Sequence, residues 1–232
     1  MAQLMFETRA SEFVELVRQN QVVVLAAETG AGKSTLGPLA LLRAGLGGNK
    51  LIAVTQPRRP AAVNLAKWVS SLNGTPMGQE IGYQIGQDRR SGRNSRLVYL
   101  TEGILLNHLQ SDPELRPYSI VVLDEIHERN VDQDLLLALI KRMLARRPDI
   151  KVVVMSATIN VERFSAYFDG APILQIAGRT YPVEIRYEWT DCAGLKASIE
   201  AVVEKTLEIL RSGVSGDILV FLPDFASIET TI

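Results

Sequence analysis

Hydrophobic residues gather in short unbroken runs at residues 22–26, 51–54, 97–100, 120–123 and 152–155, each rich in Val, Ile and Leu. A run of four or five apolar residues without polar alternation suits a strand buried on both faces, as in a parallel sheet. Between these runs, apolar positions recur every three or four residues over 61–69, 104–109 and 135–144. That spacing predicts helices with one stripe turned to a core. A helix over 12–18, with Phe13, Leu16 and Val17 on its apolar side, precedes the first strand. Strand and helix therefore alternate, which requires crossover connections. The fold class predicted is α/β, a parallel sheet flanked by helices on both faces. Ligand sites in such sheets lie beyond the carboxyl ends of the strands.

The rhythm changes after Gly178. Tyr181-Pro182 interrupts it, 183–187 reads as extended and 195–210 as a long helix. Residues 217–222 read as the opening strand of another sheet, with too few residues after it to complete one. The chain divides on this reading into a first domain over 1–178, a connector over 179–190 and the truncated start of a second domain over 191–232. The length of 232 residues agrees, since such domains take about 100–200 residues. Residues 45–49 form an ordinary glycine-rich loop.

Composition narrows the classes. With 47% hydrophobic and 22% charged residues the chain is neither disordered nor fibrous. Lys and Arg (25) balance Asp and Glu (26), so any nucleic-acid contact must come from local clusters and not from net charge. The single cysteine, Cys192, excludes an internal disulfide and fits a reducing, cytoplasmic setting. No apolar run approaches the roughly 18 residues that span a bilayer, so no membrane partner is expected.

Two segments carry chemistry. Directly after the first strand comes Ala27-Glu28-Thr29-Gly30-Ala31-Gly32-Lys33-Ser34-Thr35, followed by a helix through residue 42 with Pro38 expected in its first turn. A bound triphosphate needs close approach by backbone N–H groups, a helix N-terminus, an ammonium at its β and γ phosphates and a hydroxyl on Mg²⁺. Gly30, Gly32, Lys33 and Ser34 supply those parts; Ala27 stands where the usual pattern has glycine. The strand over 120–123 ends in Asp124-Glu125-Ile126-His127-Glu128-Arg129, a carboxylate pair at the expected active edge. Asp124 suits Mg²⁺, and Glu125 suits orienting and deprotonating an attacking water.

Together these residues resemble the DEAH-box helicases of superfamily 2, with Ile in place of Ala in the box. Thr55-Gln56-Pro57-Arg58-Arg59 resembles the family's motif Ia, Thr101-Glu102-Gly103 motif Ib, and Ser156-Ala157-Thr158 motif III, in the family's order. Residues 178–183 resemble the connector between two motor domains. The resemblance implies a RecA-like P-loop fold, with ATP and Mg²⁺ held by residues 28–35, and with Lys33, Asp124, Glu125 and His127 at the chemistry. It implies that Arg58, Arg59 and Thr101 contact the backbone of single-stranded RNA, and that Ser156, Ala157 and Thr158 couple nucleotide state to RNA grip. An activating protein partner and a monomeric state belong to the same picture. His127 is expected to sense the γ-phosphate side or a neighbouring domain.

Departures matter too. Where the family has an arginine that stacks on the base, this chain has Trp68, read equally as a stacking face or a core residue. Gly86-Gln87 replaces a family Arg-Phe pair, and the arginines at 89, 90, 93 and 96 read as a solvated basic loop in preference to an RNA contact. No glutamine-centred adenine-reading motif precedes the phosphate loop, so other nucleoside triphosphates remain open. The family's later arginine motifs have no counterpart here, and an arginine finger is worth on the order of 10³ to 10⁵ in rate. Binding with weak hydrolysis is therefore expected of this chain alone. A nucleotide-gated interaction module and a motor acting on DNA are the competing functions.

Overall fold

The computed structural model describes residues 5–28, 30–157, 161–177, 183–187 and 194–231. In chain order these form α1 (Met5–Gln19), β1 (Val22–Ala27), α2 (Lys33–Arg43), β2 (Leu51–Gln56), α3 (Arg59–Asn73), β3 (Ile81–Ile85) and β4 (Asp88–Arg90). There follow β5 (Leu97–Thr101), α4 (Glu102–Ser111), β6 (Tyr118–Leu123), a 3₁₀ turn (Ile126–Glu128), α5 (Val131–Leu144), β7 (Lys151–Ser156), α6 (Val161–Tyr167) and β8 (Ile173–Ile176). The last helices are α7 (Leu195–Arg211) and α8 (Phe225–Thr231).

Eight strands make one sheet in the order β4-β3-β5-β2-β6-β7-β1-β8, parallel throughout except for the β3–β4 hairpin. Side chains alternate between its two faces, and both faces are dry. Val22, Val24 and Ala26 of β1 pack with Leu105 of α4, Leu136 and Ile140 of α5 and Phe164 of α6. Val23, Leu25 and Ala27 of the same strand join Phe13 of α1, Leu39 of α2 and Val69 of α3 on the other face. The predicted α/β class holds because helices cover both faces of the sheet, α4, α5 and α6 on one and α1, α2 and α3 on the other. Burying one such Leu or Phe is worth roughly 1.5–3 kcal/mol.

The first helix starts earlier than the predicted 12–18. Phe6 falls seven residues before Phe13 on one face, and the two rings meet edge to face at 5.4 Å, which extends the buried stripe. Residues 86–87, the departure from the family pair, are the turn of the β3–β4 hairpin, where Gly86 takes φ +50°. That left-handed geometry favours glycine.

The chain separates into two compact units, 1–180 and 181–232. In the second, α7 has no buried residue, and among the described residues of the unit no hydrophobic side chain is buried. The expected strand at 217–222 and the extended segment at 183–187 are not strands. A strand exists by hydrogen bonding to a neighbour, and the described residues of this unit offer none. Cys192, most of the expected connector (179–182 and 188–190) and residues 191–193 lie outside the described residues.

Candidate functional site

The parallel strands deliver their carboxyl ends to one edge, and the described residues of the phosphate loop, the acidic box and motifs Ia, Ib and III lie at or just after such ends. After β1 the chain turns through Gly30 (φ +83°) and Gly32 (φ +92°), conformations that side-chain-bearing residues rarely adopt. Gly32 is also the N-cap of α2 and makes no side-chain cap, so the first N–H groups of the helix stay open toward an anion. The loop is pinned by Ala31 N–H to the Glu28 carbonyl (3.2 Å), by Phe6 N–H to the Ala31 carbonyl (3.2 Å), and by the Thr35 hydroxyl to the Gly32 carbonyl (3.2 Å). Thr29 lies outside the described residues. Ala27, where glycine was expected, closes β1 in register with Ile176 of β8, and ordinary strand geometry admits alanine there.

Pro38 is the sixth residue of α2, in its second turn and not its first. A proline there has no N–H for the carbonyl four residues back, which belongs to Ser34. The buried Tyr99 of β5 donates its hydroxyl to that carbonyl at 2.9 Å and fills the missing bond.

Lys33 and the acidic box meet. Lys33, only 4% exposed, places Nζ 3.0 Å from Oε1 of Glu125. Asp124 is fully buried: its Oδ2 accepts from Gln56 Nε2 at 2.6 Å and its Oδ1 from the Glu125 N–H at 2.9 Å, with the Ser34 hydroxyl beside it. Burial, then the neighbouring charge of Glu125, pushes the Asp124 carboxyl up to about 6, against the opposing pull of Ser34, Gln56 and Lys33. Glu125 itself sits at φ +52°, a left-handed conformation that costs a residue with a side chain on the order of 1–2 kcal/mol.

His127 lies between two motifs. Its Nδ1 accepts from the Ala157 N–H at 3.3 Å, which leaves the proton on Nε2, 3.5 Å from Oε2 of Glu125. Ser156 ends β7 with a fully buried hydroxyl that has no hydrogen-bond partner among the described residues. Thr158 lies outside them. Among the described residues no cluster of three His, Cys, Asp or Glu forms a metal cage.

Arg58 and Arg59 open α3 at the end of β2 and are both exposed; Arg58 makes only a 3.4 Å contact with Glu128. Thr101 ends β5 as the N-cap of α4 and is half-buried. Trp68 is 58% exposed, which removes the core reading and leaves a free aromatic face on α3. Of the arginines expected on a solvated loop, only Arg93 is an exposed loop residue: Arg89 and Arg90 are exposed but lie on strand β4, and Arg96 is half-buried, with its guanidinium toward the Gly48 carbonyl.

Four residues of the site had no role assigned beforehand: Gln56 and Glu102, quoted only as members of motifs Ia and Ib, and Tyr99 and Gln133. Glu102 opens α4, is 4% exposed, and accepts from Gln133 Nε2 at 2.7 Å and from Asn130 Nδ2 at 2.9 Å. One signal was available: Asn130 and Gln133 have the spacing of a capping box, and both of its bonds are present at the start of α5. The cross-strand contacts carry no such local mark.

The mostly parallel sheet, with its phosphate loop after the first strand, defines a RecA-like α/β domain. Residues 9–165 match the family described as DEAD/DEAH box helicase. The chain belongs to that family. It is 37% identical over 230 residues to the protein named probable ATP-dependent RNA helicase DHX34 of Homo sapiens, covering 96% of this chain and 20% of that protein. It is 40% identical over 228 residues to the protein named probable ATP-dependent RNA helicase DHR2 of Saccharomyces cerevisiae, covering 95% of this chain and 30% of that one. The chain thus spans between a fifth and a third of the length of these relatives. No helix among the described residues is long and apolar enough to cross a membrane.

Proposed function

We propose that this chain is the nucleotide-binding motor domain, with the start of a second one, of an ATP-dependent RNA helicase. The observation that carries the reading is the convergence of Lys33, Ser34, Asp124 and Glu125 at the carboxyl ends of β1 and β6. The family and the names of both relatives support it. The domain division proposed is 1–178, 179–190 and 191–232, in a monomeric, cytoplasmic protein open to an activating partner.

ATP is the substrate. The N–H groups of Gly32, Lys33 and Ser34 at the start of α2 and the Lys33 ammonium bind its phosphates. The oxygen donors Ser34 and Asp124, which lie beside each other, fit the hard Mg²⁺ ion and would hold it there. When bound, Mg²⁺ neutralises charge on the phosphates. Glu125 Oε accepts the proton of the attacking water as its oxygen bonds the γ-phosphorus and the bond to ADP breaks. His127 Nε2–H steadies Glu125 and ties it to Ala157, giving Ser156 to Thr158 a route to the same carboxylate. Arg58 and Arg59, with their charge turned to solvent, suit RNA phosphate oxygens beside Thr101. Trp68 offers its face to the base.

The test is phosphate release by the full-length protein with Mg–ATP, with and without single-stranded RNA or DNA, beside its Glu125→Gln variant. RNA-stimulated turnover lost in the variant is expected. Equal, negligible turnover in both overturns the motor reading, and equal stimulation by DNA overturns the RNA assignment.

A further inference from the structure

The cluster of buried Glu102 and Gln133 with half-buried Asn130 lies where α4 and α5 begin, one residue after Thr101 and five after Glu125. Its geometry is unusually closed. Gln133 is 1% exposed, and its Nε2 donates both to Glu102 Oε1 (2.7 Å) and to the backbone carbonyl of Glu125 (3.2 Å). A carbonyl only accepts and a carboxylate accepts, so the atom between them must be the amide nitrogen. Asn130 fixes the other end: its Nδ2 donates to Glu102 Oε2, its N–H donates to Gln133 Oε1 (3.4 Å), and its Oδ1 accepts the Gln133 N–H (2.8 Å).

A buried carboxylate costs several kcal/mol unless it is satisfied, which makes this a demanding way to start two helices if capping were its only purpose. Burial raises the Glu102 carboxyl above its usual range, against the two amide bonds that lower it. Among the described residues, the one side-chain hydrogen bond that leaves the cluster goes to the carbonyl of Glu125. That residue holds a left-handed backbone conformation, which persists only where its surroundings over-determine it. Three bonds do so: the Glu125 N–H to Asp124 Oδ1, the Glu128 N–H to the Glu125 carbonyl at 3.0 Å, and the Gln133 amide to the same carbonyl. Only the last connects onward, through the Gln133–Glu102 bond, to the end of another strand, β5.

We propose that Glu102 and Gln133 are positioning residues that relay the placement of the β5–α4 corner to the backbone of Glu125, so that RNA held at Thr101 aligns the catalytic carboxylate. The inference rests on the function proposed above. RNA at Thr101 shifts the first residue of α4, Glu102 moves the Gln133 amide, and the amide turns the peptide that aims the Glu125 side chain. Among the described residues Lys33, Ser34 and Asp124 share no hydrogen bond with Glu102, Asn130 or Gln133, and the relay meets Lys33 and Asp124 only through Glu125, so nucleotide affinity should change far less than turnover.

The test uses the full-length protein with two variants. Gln133→Met keeps the volume and removes the amide. In the exchange Glu102→Gln with Gln133→Glu, amide and carboxylate trade places: the bond between them re-forms, while position 133 no longer has a donor for the Glu125 carbonyl. ATP turnover at saturating RNA, Mg–ADP affinity and thermal midpoint are measured for each. Gln133→Met should lose turnover on the order of 10- to 100-fold with affinity within about 2-fold of the parent, since a displacement near 1 Å at a reacting group has that effect. The exchange should recover thermal midpoint but not turnover. Parent-like RNA-stimulated turnover in Gln133→Met overturns the relay, as does recovery of turnover by the exchange, which would mark a purely structural cluster. Absence of RNA-stimulated turnover in the parent protein overturns the function itself, and the parent measurement alone decides that.

Discussion

Asp124 has the most demanding environment of any single residue. Its carboxyl moves from an ordinary 3.8 to about 6 because burial disfavours the charged form. A raised pKa means the residue's contribution to stability is fully present below about pH 4 and is lost as pH climbs through about 6. Above that, the ionised group costs the empty protein roughly 3 kcal/mol, two units at about 1.4 kcal/mol each. The unfolding free energy of the nucleotide-free protein should therefore fall between about pH 4 and pH 7, and the fall should be smaller in Asp124→Asn, as chemical denaturation across that range would reveal. A cation needs the ionised form, so Mg–nucleotide affinity should weaken about tenfold per unit below pH 6, with proton release visible by calorimetry in buffers of different ionisation enthalpy. The phosphate loop and the acidic box were legible because each is contiguous and each follows an apolar run. Gln56, which holds Asp124 across 68 positions of sequence, was not, because adjacency of two strands is a property of the sheet order alone.

Among the elements, α2 is the one whose regularity depends on a neighbour. Pro38 leaves the Ser34 carbonyl without its helical donor, and Tyr99 supplies one from β5. Tyr99→Phe should cost about 1 kcal/mol, the usual net worth of such a bond. In a Pro38→Ala background the helix donates its own N–H, so the same change should cost less; a double-mutant cycle by urea unfolding measures the difference, and additive costs would show the two to be independent. The β3–β4 hairpin is equally exacting. A Cβ at Gly82 would lie 2.2 Å from the Arg90 carbonyl oxygen and 2.9 Å from Ser91 Cβ. Gly82→Ala should destabilise by about 1–3 kcal/mol, read from the denaturation midpoint at unchanged slope. This part of the sheet also escaped sequence reading. The five central strands are buried on both faces and read as unbroken apolar runs, whereas β3, β4 and β8 carry Gly82, Gln84, Arg89 and Gln175, because toward an edge one face or the open side meets water. Helix α6, at seven residues, is too short to show a period.

At the level of the whole molecule, the unit over 1–180 holds two complete hydrophobic layers, and the unit over 181–232 leaves the apolar stripe of α7 outside any core among the described residues. Ligand binding reports on the first unit by itself. Mg–ADP at 100 times its dissociation constant should stabilise it by about 2.7 kcal/mol, a thermal shift that Lys33→Ala should abolish. The family and the α/β architecture were readable because alternation of runs and helices is a property of the entire chain; the second unit was not, since its expected strand has no neighbour to define it. The rim of the sheet has a further consequence. Strand β4 is three residues long, wholly exposed and carries two guanidinium groups beside its free backbone row. A growing fibril needs a long uncharged margin on which to template, and this border gives it neither length nor neutrality. Exchanging both Arg89 and Arg90 for valine should therefore lower the concentration at which light scattering first appears.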